Sequence, residues 1–384
     1  MPETMKAIRK AAREPGLVIE DVPIPSLGPH DVLVQVVAAS ICGTDLHIWN
    51  WNPWSEQRIR PPLTIGHEFA GTVVEVGPTV EHVRVGDYVS AESHITCGMC
   101  FQCRTGQAHM CPATKVIGVD CDGVFAEYVA LPESVIWRND GTKIPPEIAT
   151  LQEPFGNAVY ATLAHDLAGQ TVGVFGCGPI GCFAVGIAKA SGAAAVFATD
   201  IVDYRLELAR QMGADAIYNP NHETGHDSDG QNGTTNWLIE ANEGYGVDVV
   251  LEMSGAAGAI TSAFRAVRNG GRVTLFGIPS SPVEIDVAEN MIFKNLTVLA
   301  LNGRRIFDTW FKTRWMLEGG VVDIRPLITR QLPFDRIDEA MELLSSGQAC
   351  KIVLQPSETP IESVAAAGVT QAADANVRGV VRHP

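Results

Sequence analysis

The chain has 384 residues, of which 46% are hydrophobic and 19% charged, and its formal net charge is −16. This composition excludes disorder over most of the chain, and the length predicts two or three domains, each with its own core. The acidic charge disfavours nucleic acid as a partner, and no apolar stretch reaches the roughly 18–20 residues of a membrane span. Residues 1–6 lack the apolar core of a signal peptide, so we expect a cytoplasmic protein.

The first part of the chain, up to residue 156, consists of short apolar segments separated by glycine and proline. Residues 31–37 alternate apolar and polar side chains, which predicts a strand. Similar segments predict strands at residues 19–22, 71–77 and 86–90. Many short strands with frequent turns predict a β-rich barrel or sandwich.

This β-rich part also carries candidate ligands for a catalytic metal. A catalytic zinc takes about three protein ligands and keeps one exchangeable position. Cys42 and His67 are the natural pair of ligands, Glu68 follows directly, and Glu153 offers an oxygen ligand from the end of this part. Spacing alone leaves open that the cysteine and the histidine are ordinary core or surface residues.

Cysteines indicate a second metal site. The chain has nine, and five of them fall within 25 residues, at Cys97, Cys100, Cys103, Cys111 and Cys121. In a reducing compartment, clustered thiols are metal ligands more often than disulfides. The first four suit a tetrahedral zinc ion whose filled shell admits no substrate, so that zinc would be structural. An iron–sulfur cluster stays open as the alternative, because it uses similar spacing.

The second part of the chain alternates buried strands with helices. Apolar segments at residues 171–175, 194–199 and 247–251 predict strands, and further strands are predicted at 272–276 and 297–301. Such βαβ alternation predicts a parallel sheet with helices on both faces, and a domain boundary between residues 150 and 160. Two polar segments fall outside this pattern and predict an exposed loop and a frayed tail, at residues 221–236 and 357–384.

A dinucleotide-binding motif lies in this second part. Gly176, Gly178 and Gly181 form a G-x-G-x-x-G pattern between a predicted strand and a predicted helix. Such glycines permit a tight turn, close approach of the backbone to a pyrophosphate and close helix–strand packing. Asp200 ends the next predicted strand, where a carboxylate accepts hydrogen bonds from the ribose and repels a 2′-phosphate. The motif therefore favours NAD, while Arg205 keeps NADP open as the alternative.

The order of these motifs resembles the zinc-dependent medium-chain alcohol dehydrogenases. The resemblance covers residues 5–355, and residues 42–52 and 152–159 are similar to the branch that acts on L-threonine. It implies an α/β fold with a Rossmann doubly wound parallel sheet and a β-rich GroES-like catalytic domain. We expect the catalytic domain at residues 1–156, the NAD-binding domain at 157–305, and a return to the catalytic domain with a tail at 306–384. The resemblance also implies a homotetramer.

The resemblance further implies roles for individual residues. The catalytic zinc would bind Cys42, His67 and Glu68, with Glu153 close enough to ligate or to exchange with water. The structural zinc would bind Cys97, Cys100, Cys103 and Cys111, which gives one catalytic and one structural zinc ion per chain. The positions expected to bind NAD are Gly176, Gly178, Ile180, Gly181, Asp200, Arg205, Phe276, Gly277, Ile278, Leu301 and Asn302.

The implied reaction is zinc-assisted hydride transfer from the secondary hydroxyl of L-threonine to NAD, which yields L-2-amino-3-ketobutyrate. Thr44 is expected to pass the hydroxyl proton through the nicotinamide ribose to His47, since a histidine exchanges protons near neutral pH. Alternatives are a polyol or 2,3-butanediol dehydrogenase and, from another class, a zinc-free quinone reductase or crystallin-like binding protein. No spacing identifies the groups that hold the substrate ammonium and carboxylate, although His94 and Glu153 are candidate neighbours.

Overall fold

A computed structural model describes residues 2–222 and 233–356. The chain begins with short strands whose apolar side chains are buried, as in residues 32–34. Their bounds, in chain order, are β1 (Thr4–Lys10), β2 (Val18–Pro23), β3 (Asp31–Ser40), β4 (Leu63–Thr64), β5 (Glu68–Val76), β6 (Tyr88–Ala91), β7 (His94–Ile95), β8 (Lys115–Val116), β9 (Tyr128–Pro132) and β10 (Ile136–Arg138).

The main β-rich sheet joins strands from both ends of the chain. Its order is β10-β6-β5-β3-β18-β17, with β17 (Ile328–Pro333) and β18 (Lys351–Gln355) supplied by the C-terminal region, and β9 pairs with β3. Strand β18 runs antiparallel to β3, so that Val353 lies opposite Ser40. Smaller sheets have the orders β2-β1-β4 and β7-β8. The late strands therefore complete a sheet that the early strands begin.

The second sheet is parallel. Its strands are β11 (Thr171–Phe175), β12 (Ala195–Thr199), β13 (Ala216–Tyr218), β14 (Val247–Glu252), β15 (Val267–Leu275) and β16 (Thr297–Ala300). In the order β13-β12-β11-β14-β15-β16, the chain builds the sheet outward in one direction from β11 to β13 and in the other direction from β14 to β16. The strand order therefore switches between β11 and β14. At such a switch point the carboxyl ends of the strands open a crevice that binds ligands.

Helices cover both faces of the parallel sheet. Val172 and Val174 pack into one apolar cluster and Phe175 into another, because successive side chains of a strand point to opposite faces. The predicted doubly wound sheet is thus confirmed.

The α-helices of the described residues, in both parts of the chain, are α1 (Gly43–Asn50), α2 (Pro53–Arg58), α3 (Phe101–Arg104), α4 (Pro146–Ala149), α5 (Gln152–Thr162), α6 (Pro179–Ala190), α7 (Asp203–Gln211), α8 (Gly233–Ala241), α9 (Ala257–Ala266), α10 (Asp308–Glu318) and α11 (Ile337–Ser345).

The structure corrects one segment of the predicted exposed loop. Residues 233–236 begin α8, because Leu238 buries its side chain in the core and draws the preceding polar residues into the helix. Residues 223–232 and the predicted tail at 357–384 lie outside the described residues. The domain boundaries at 156 and 305 stay predictions, and α5 runs across the first of them. Within the two described ranges, no helix is both long and apolar enough to cross a membrane.

Candidate active site

The first candidate ligand, Cys42, lies where β3 ends and α1 begins. Cys42 caps α1, and its backbone N–H donates to Asp45 Oδ2 at 2.9 Å, which closes a capping box. Asp45 is fully buried, and burial raises the pKa of its carboxyl to about 6. The thiol is therefore held on a rigid helix start rather than on a free loop.

His67 and Glu68 come from the start of β5 and meet Cys42. One ligand atom from each of the three residues lies within 4.8 Å of the others. His67 Nδ1 and Glu68 Oε1 are buried and have no hydrogen-bond partner among the described residues. A buried polar atom without a partner is costly, and a metal ion would satisfy it. This set of sulfur, nitrogen and oxygen donors fits Zn²⁺.

The surroundings of His67 are negatively charged. Burial alone would lower the pKa of His67, but the Cys42 thiolate and the carboxylates of Asp45 and Glu153 outweigh it and raise that pKa to about 10. The same negative potential favours a bound cation.

Lys351, which no motif in the sequence indicates, holds the other oxygen of Glu68. Lys351 Nζ lies 2.5 Å from Glu68 Oε2 and donates to the backbone oxygen of Ile41 at 2.7 Å. Ser40 Oγ also donates to Glu68 Oε2. Glu68 Oε2 is therefore anchored, and Oε1 is the oxygen left for a metal. The only signal in the sequence is a lysine at the start of an apolar segment.

Glu153 lies in the first turn of α5 and is 5% exposed. Its Oε1 accepts from Ser93 Oγ at 2.6 Å and lies 2.7 Å from Nη1 of Arg304. Burial raises the pKa of Glu153, but Arg304 outweighs it and the net shift is downward. The Cys42–His67–Glu68 group does not include Glu153, although the Glu153 carboxylate acts electrostatically on His67. Arg304 is a second residue that the sequence did not indicate.

The two residues of the predicted proton path lie on α1. Thr44 is half-buried, and its Oγ1 is 3.8 Å from Cys42 Sγ. His47 is exposed and lies one helical turn farther along, where side chains three residues apart are neighbours. The arrangement connects the candidate metal group with solvent over one turn of helix.

The four cysteines of the lobe at residues 97–111 converge. Their Sγ atoms all lie within 4.8 Å of one another, at 3.5 Å for Cys100–Cys103, 3.6 Å for Cys111–Cys97 and 4.0 Å for Cys97–Cys103. A tetrahedron with Zn–S bonds of about 2.3 Å has edges of about 3.8 Å. A backbone amide lowers the pKa of Cys111 to about 6, which favours the ligating thiolate. The spacing fits one metal ion better than a multi-iron cluster.

The glycine motif forms the turn between β11 and α6. Gly176 has a φ of +92°, and a Cβ on Gly181 would lie 1.9 Å from the Gly176 oxygen, so both positions require glycine. Gly178 caps α6, and a Cβ there would meet no atom within 4 Å. The half-buried Ile180 lies in the first turn of α6. The turn therefore leaves open space for a phosphate at a helix N-terminus.

Asp200 follows β12 and reaches this turn, as its spacing predicts. Its Oδ2 accepts from the Cys177 N–H at 2.7 Å, and its Oδ1 accepts from the Val202 N–H at 2.9 Å. Arg205 Nη1 is 4.0 Å from Asp200 Oδ2. Each carboxylate oxygen has a further lone pair, so a ribose hydroxyl can still donate to it.

The remaining predicted cofactor positions share the carboxyl edge of the parallel sheet. Residues 276–278 follow β15, and residues 301–302 follow β16. The Leu301 N–H donates to the Leu275 oxygen at 3.0 Å, which joins the two segments. Ile278 and Asn302 are exposed, whereas Phe276, Gly277 and Leu301 are half-buried.

Two family models match the chain. The alcohol dehydrogenase GroES-like domain matches residues 28–141, and the zinc-binding dehydrogenase domain matches residues 179–317. The first match confirms the GroES-like assignment of the β-rich part. The second begins at α6, directly after the first two glycines of the motif.

Known proteins resemble the chain over nearly its whole length. An L-threonine 3-dehydrogenase of Symbiobacterium thermophilum is 50% identical over 357 residues, which cover 93% of this chain and 99% of that protein. An L-threonine 3-dehydrogenase of Bacillus licheniformis is 46% identical, with 93% and 100% covered. The solved 2R,3R-butanediol dehydrogenase from Bacillus subtilis is 28% identical, with a TM-score of 0.81 and 92% and 100% covered. The chain therefore belongs to the zinc-binding dehydrogenases of the alcohol dehydrogenase family, as its motifs predict.

Proposed function

We propose that the protein oxidises the secondary hydroxyl of L-threonine to L-2-amino-3-ketobutyrate with NAD⁺ as the hydride acceptor. The observation that carries the reaction class is the meeting of Cys42, His67 and Glu68, two of which present unpartnered buried atoms. The substrate assignment is supported by 50% identity to an L-threonine 3-dehydrogenase over 93% of the chain.

Cys42, His67 and Glu68 would hold the catalytic zinc. Bound there, Zn²⁺ supplies a Lewis acid for the substrate hydroxyl, and NAD⁺ supplies the acceptor of its hydride. Asp45 fixes the backbone at Cys42, and Lys351 fixes Glu68 through its other oxygen. These contacts restrict the ligands before any metal binds, which favours one coordination geometry.

Thr44 and His47 would remove the proton that the substrate hydroxyl releases. Thr44 Oγ1 lies beside Cys42 Sγ and both accepts and donates a hydrogen bond without becoming charged. The exposed imidazole of His47 then carries the proton to solvent. Glu153 lies near enough to His67 to influence its charge, and we assign it to the same catalytic group.

The carboxyl edge of the parallel sheet would bind NAD. The N-terminus of α6 at the glycine turn would hold the pyrophosphate, and Asp200 would accept hydrogen bonds from the adenosine ribose hydroxyls. A carboxylate at this point disfavours the 2′-phosphate of NADP. Arg205 Nη1 lies 4.0 Å from Asp200 Oδ2 and forms a long ion pair with it. Arg205 therefore does not offer an independent site for the 2′-phosphate.

The cysteine lobe would hold the structural zinc. Its four thiols leave no exchangeable position. Residues 97–111 contribute no residue to a strand, because β7 ends at Ile95 and β8 begins at Lys115, and Cys111 is the one buried residue among them. A segment with so little apolar core of its own depends on the metal for its shape.

Association into a homotetramer and a cytoplasmic location are further parts of the proposal. Strand β16 ends the parallel sheet within the described residues, and its exposed face carries Val298 at 37% exposure. Nearby, Phe293 is 70% exposed. An apolar sheet edge of this kind favours pairing with a second copy. The acidic net charge gives no support to a nucleic-acid partner.

The second candidate is a polyol or 2,3-butanediol dehydrogenase, which the structural likeness to 2R,3R-butanediol dehydrogenase favours. Initial rates of NADH formation with L-threonine, sorbitol and 2,3-butanediol separate the two. We expect the highest kcat/KM with L-threonine. A higher kcat/KM with sorbitol or 2,3-butanediol would assign the enzyme to that substrate class. No turnover with any of the three alcohols would favour a binding protein without catalytic activity.

A further inference from the structure

Glu92, in the link between β6 and β7, is the most heavily hydrogen-bonded carboxylate near the candidate active site. It is 0% exposed. Its Oε1 lies 2.7 Å from His94 Nδ1 and 2.5 Å from Arg304 Nη2, and accepts from the His94 N–H at 3.0 Å. Its Oε2 accepts from Arg304 Nε and Trp310 Nε1, both at 2.8 Å. No motif in the sequence indicates this role.

Arg304 connects Glu92 to Glu153. Its guanidinium is 1% exposed and binds Glu92 with Nε and Nη2 and Glu153 with Nη1 at 2.7 Å. Ser93 Oγ accepts from Arg304 Nη2 at 2.9 Å and donates to Glu153 Oε1. Two carboxylates therefore share one guanidinium, and the three ionised side chains together carry one excess negative charge. Planar bidentate contacts of this kind fix orientation as well as charge.

Glu92 also determines which nitrogen of His94 carries the proton. An ionised carboxylate only accepts hydrogen bonds, so His94 Nδ1 must donate to it. His94 Nε2 is then the acceptor in the neutral ring, and the side chain is 25% exposed. A carboxylate behind an imidazole fixes both its tautomer and its orientation.

We propose that Glu92 is a positioning residue, which orients His94 directly and Glu153 through Arg304. The inference rests on the proposed function, because it takes His94 and Glu153 as neighbours of the substrate and the metal. Without the Glu92 charge, Glu153 becomes the sole counter-ion of Arg304, and the His94 ring loses the acceptor that selects its tautomer. Both changes disturb the site without removing a group that touches the substrate.

A purely architectural role is the competing explanation, since Glu92 also ties α10 to the β-rich sheet through Trp310. Trp310→Phe is a matched control, because it removes one buried hydrogen bond to the same carboxylate and leaves His94, Arg304 and Glu153 in place. If Glu92 only held the two elements together, Trp310→Phe and Glu92→Gln would have similar consequences.

The test compares zinc-loaded wild-type, Glu92→Gln and Trp310→Phe enzymes. We expect Glu92→Gln to lower kcat/KM for L-threonine by about 10–100-fold, the usual consequence of losing a partner that orients an active-site group. The Kd for NAD⁺ and the zinc content of the cysteine lobe should not change. Trp310→Phe should keep the wild-type kcat/KM. Equal losses in the two variants would overturn the proposal.

A double-mutant cycle with His94→Asn tests the connection itself. If Glu92 acts through His94, the loss in the Glu92→Gln/His94→Asn enzyme is smaller than the product of the two single losses. If the loss of kcat/KM in the double variant equals the product of the two single losses, Glu92 does not act through His94. Should Glu92→Gln not fold, the same cycle is measured with Glu92→Asp, which keeps the charge and shortens its reach. If the wild type oxidises another alcohol and not L-threonine, the proposed substrate fails, while the same ratios on that alcohol still decide the role of Glu92.

Discussion

The two candidate metal sites are built in opposite ways. The cysteine lobe takes all its ligands from residues 97–111, and it is partly exposed, with Cys97 at the surface. The Cys42–His67–Glu68 group is assembled from two strands and a helix start, and it depends on Lys351 from β18, which is 283 residues away from Glu68. One site is local and saturated with thiols, and the other is buried, mixed in its donors and open to a further ligand.

This contrast shows how a fold separates stability from chemistry. A saturated thiolate shell can shape a segment but cannot take part in turnover, because it has no exchangeable position. A mixed shell held by buried contacts can accept substrate and remain rigid. Substitutions in the Cys42–His67–Glu68 group should therefore lower the reaction rate, whereas substitutions in the cysteine lobe should lower the stability of the fold.

The largest expected effect follows removal of Cys42. Cys42→Ala should lose one of two zinc ions per chain and lower kcat/KM by about 10³-fold, since a Lewis acid contributes several kcal/mol to such a reaction. The melting temperature should stay near that of the wild type. Cys121→Ala is the control, because Cys121 is half-buried and belongs to neither cluster. Zinc analysis and NADH formation decide the matter, and full zinc content with normal turnover would exclude Cys42 as a ligand.

The counterpart in the lobe is Cys100→Ser. Losing one of four thiolates should lower the free energy of unfolding by roughly 3 kcal/mol, about a quarter of the 10–16 kcal/mol typical of structural zinc. The kcat of the protein that remains folded should be close to normal. Thermal melting with zinc analysis checks this. Normal melting and undiminished zinc would count against a structural ion.

His47→Asn should have the next largest effect, about 10²-fold on kcat, because a positioned acid–base group commonly contributes 10²–10⁴-fold. The low end applies because His47 is exposed and water can partly replace it. Zinc content and affinity for NAD⁺ should be unchanged. A variant that loses zinc would identify His47 as a ligand, and one that keeps its kcat over the whole pH range would remove it from the proton path.

Asp200→Ala tests the cofactor site and should have the smallest effect. Loss of the ribose acceptor should weaken NAD⁺ binding by about tenfold, the equivalent of about 1.4 kcal/mol, and relax the rejection of NADP⁺. Titration of both cofactors into the wild type and the variant gives the ratio of the two Kd values. An unchanged ratio would mean that Asp200 serves only its bonds to Cys177 and Val202.

Sequence reasoning succeeded where the relevant contacts are local. The cysteine lobe and the glycine turn are each encoded within a few residues, so their spacing alone predicted their geometry. Arg304 and Glu92 are 212 residues apart, and no periodicity links them. The polar composition of residues 233–236 predicts a loop, but packing of Leu238 overrides that local preference. Buried contacts between residues far apart in the sequence, which no local motif encodes, determine which charged residues support the site.

A catalytic zinc at Cys42, His67 and Glu68 is tested by measuring the rate of NADH formation from L-threonine while a chelator removes zinc. We expect the rate to fall to zero as the zinc content drops from two ions per chain to one, while the protein stays folded. Added Zn²⁺ should restore the rate. Full activity with one zinc ion per chain would contradict a catalytic metal at Cys42, His67 and Glu68.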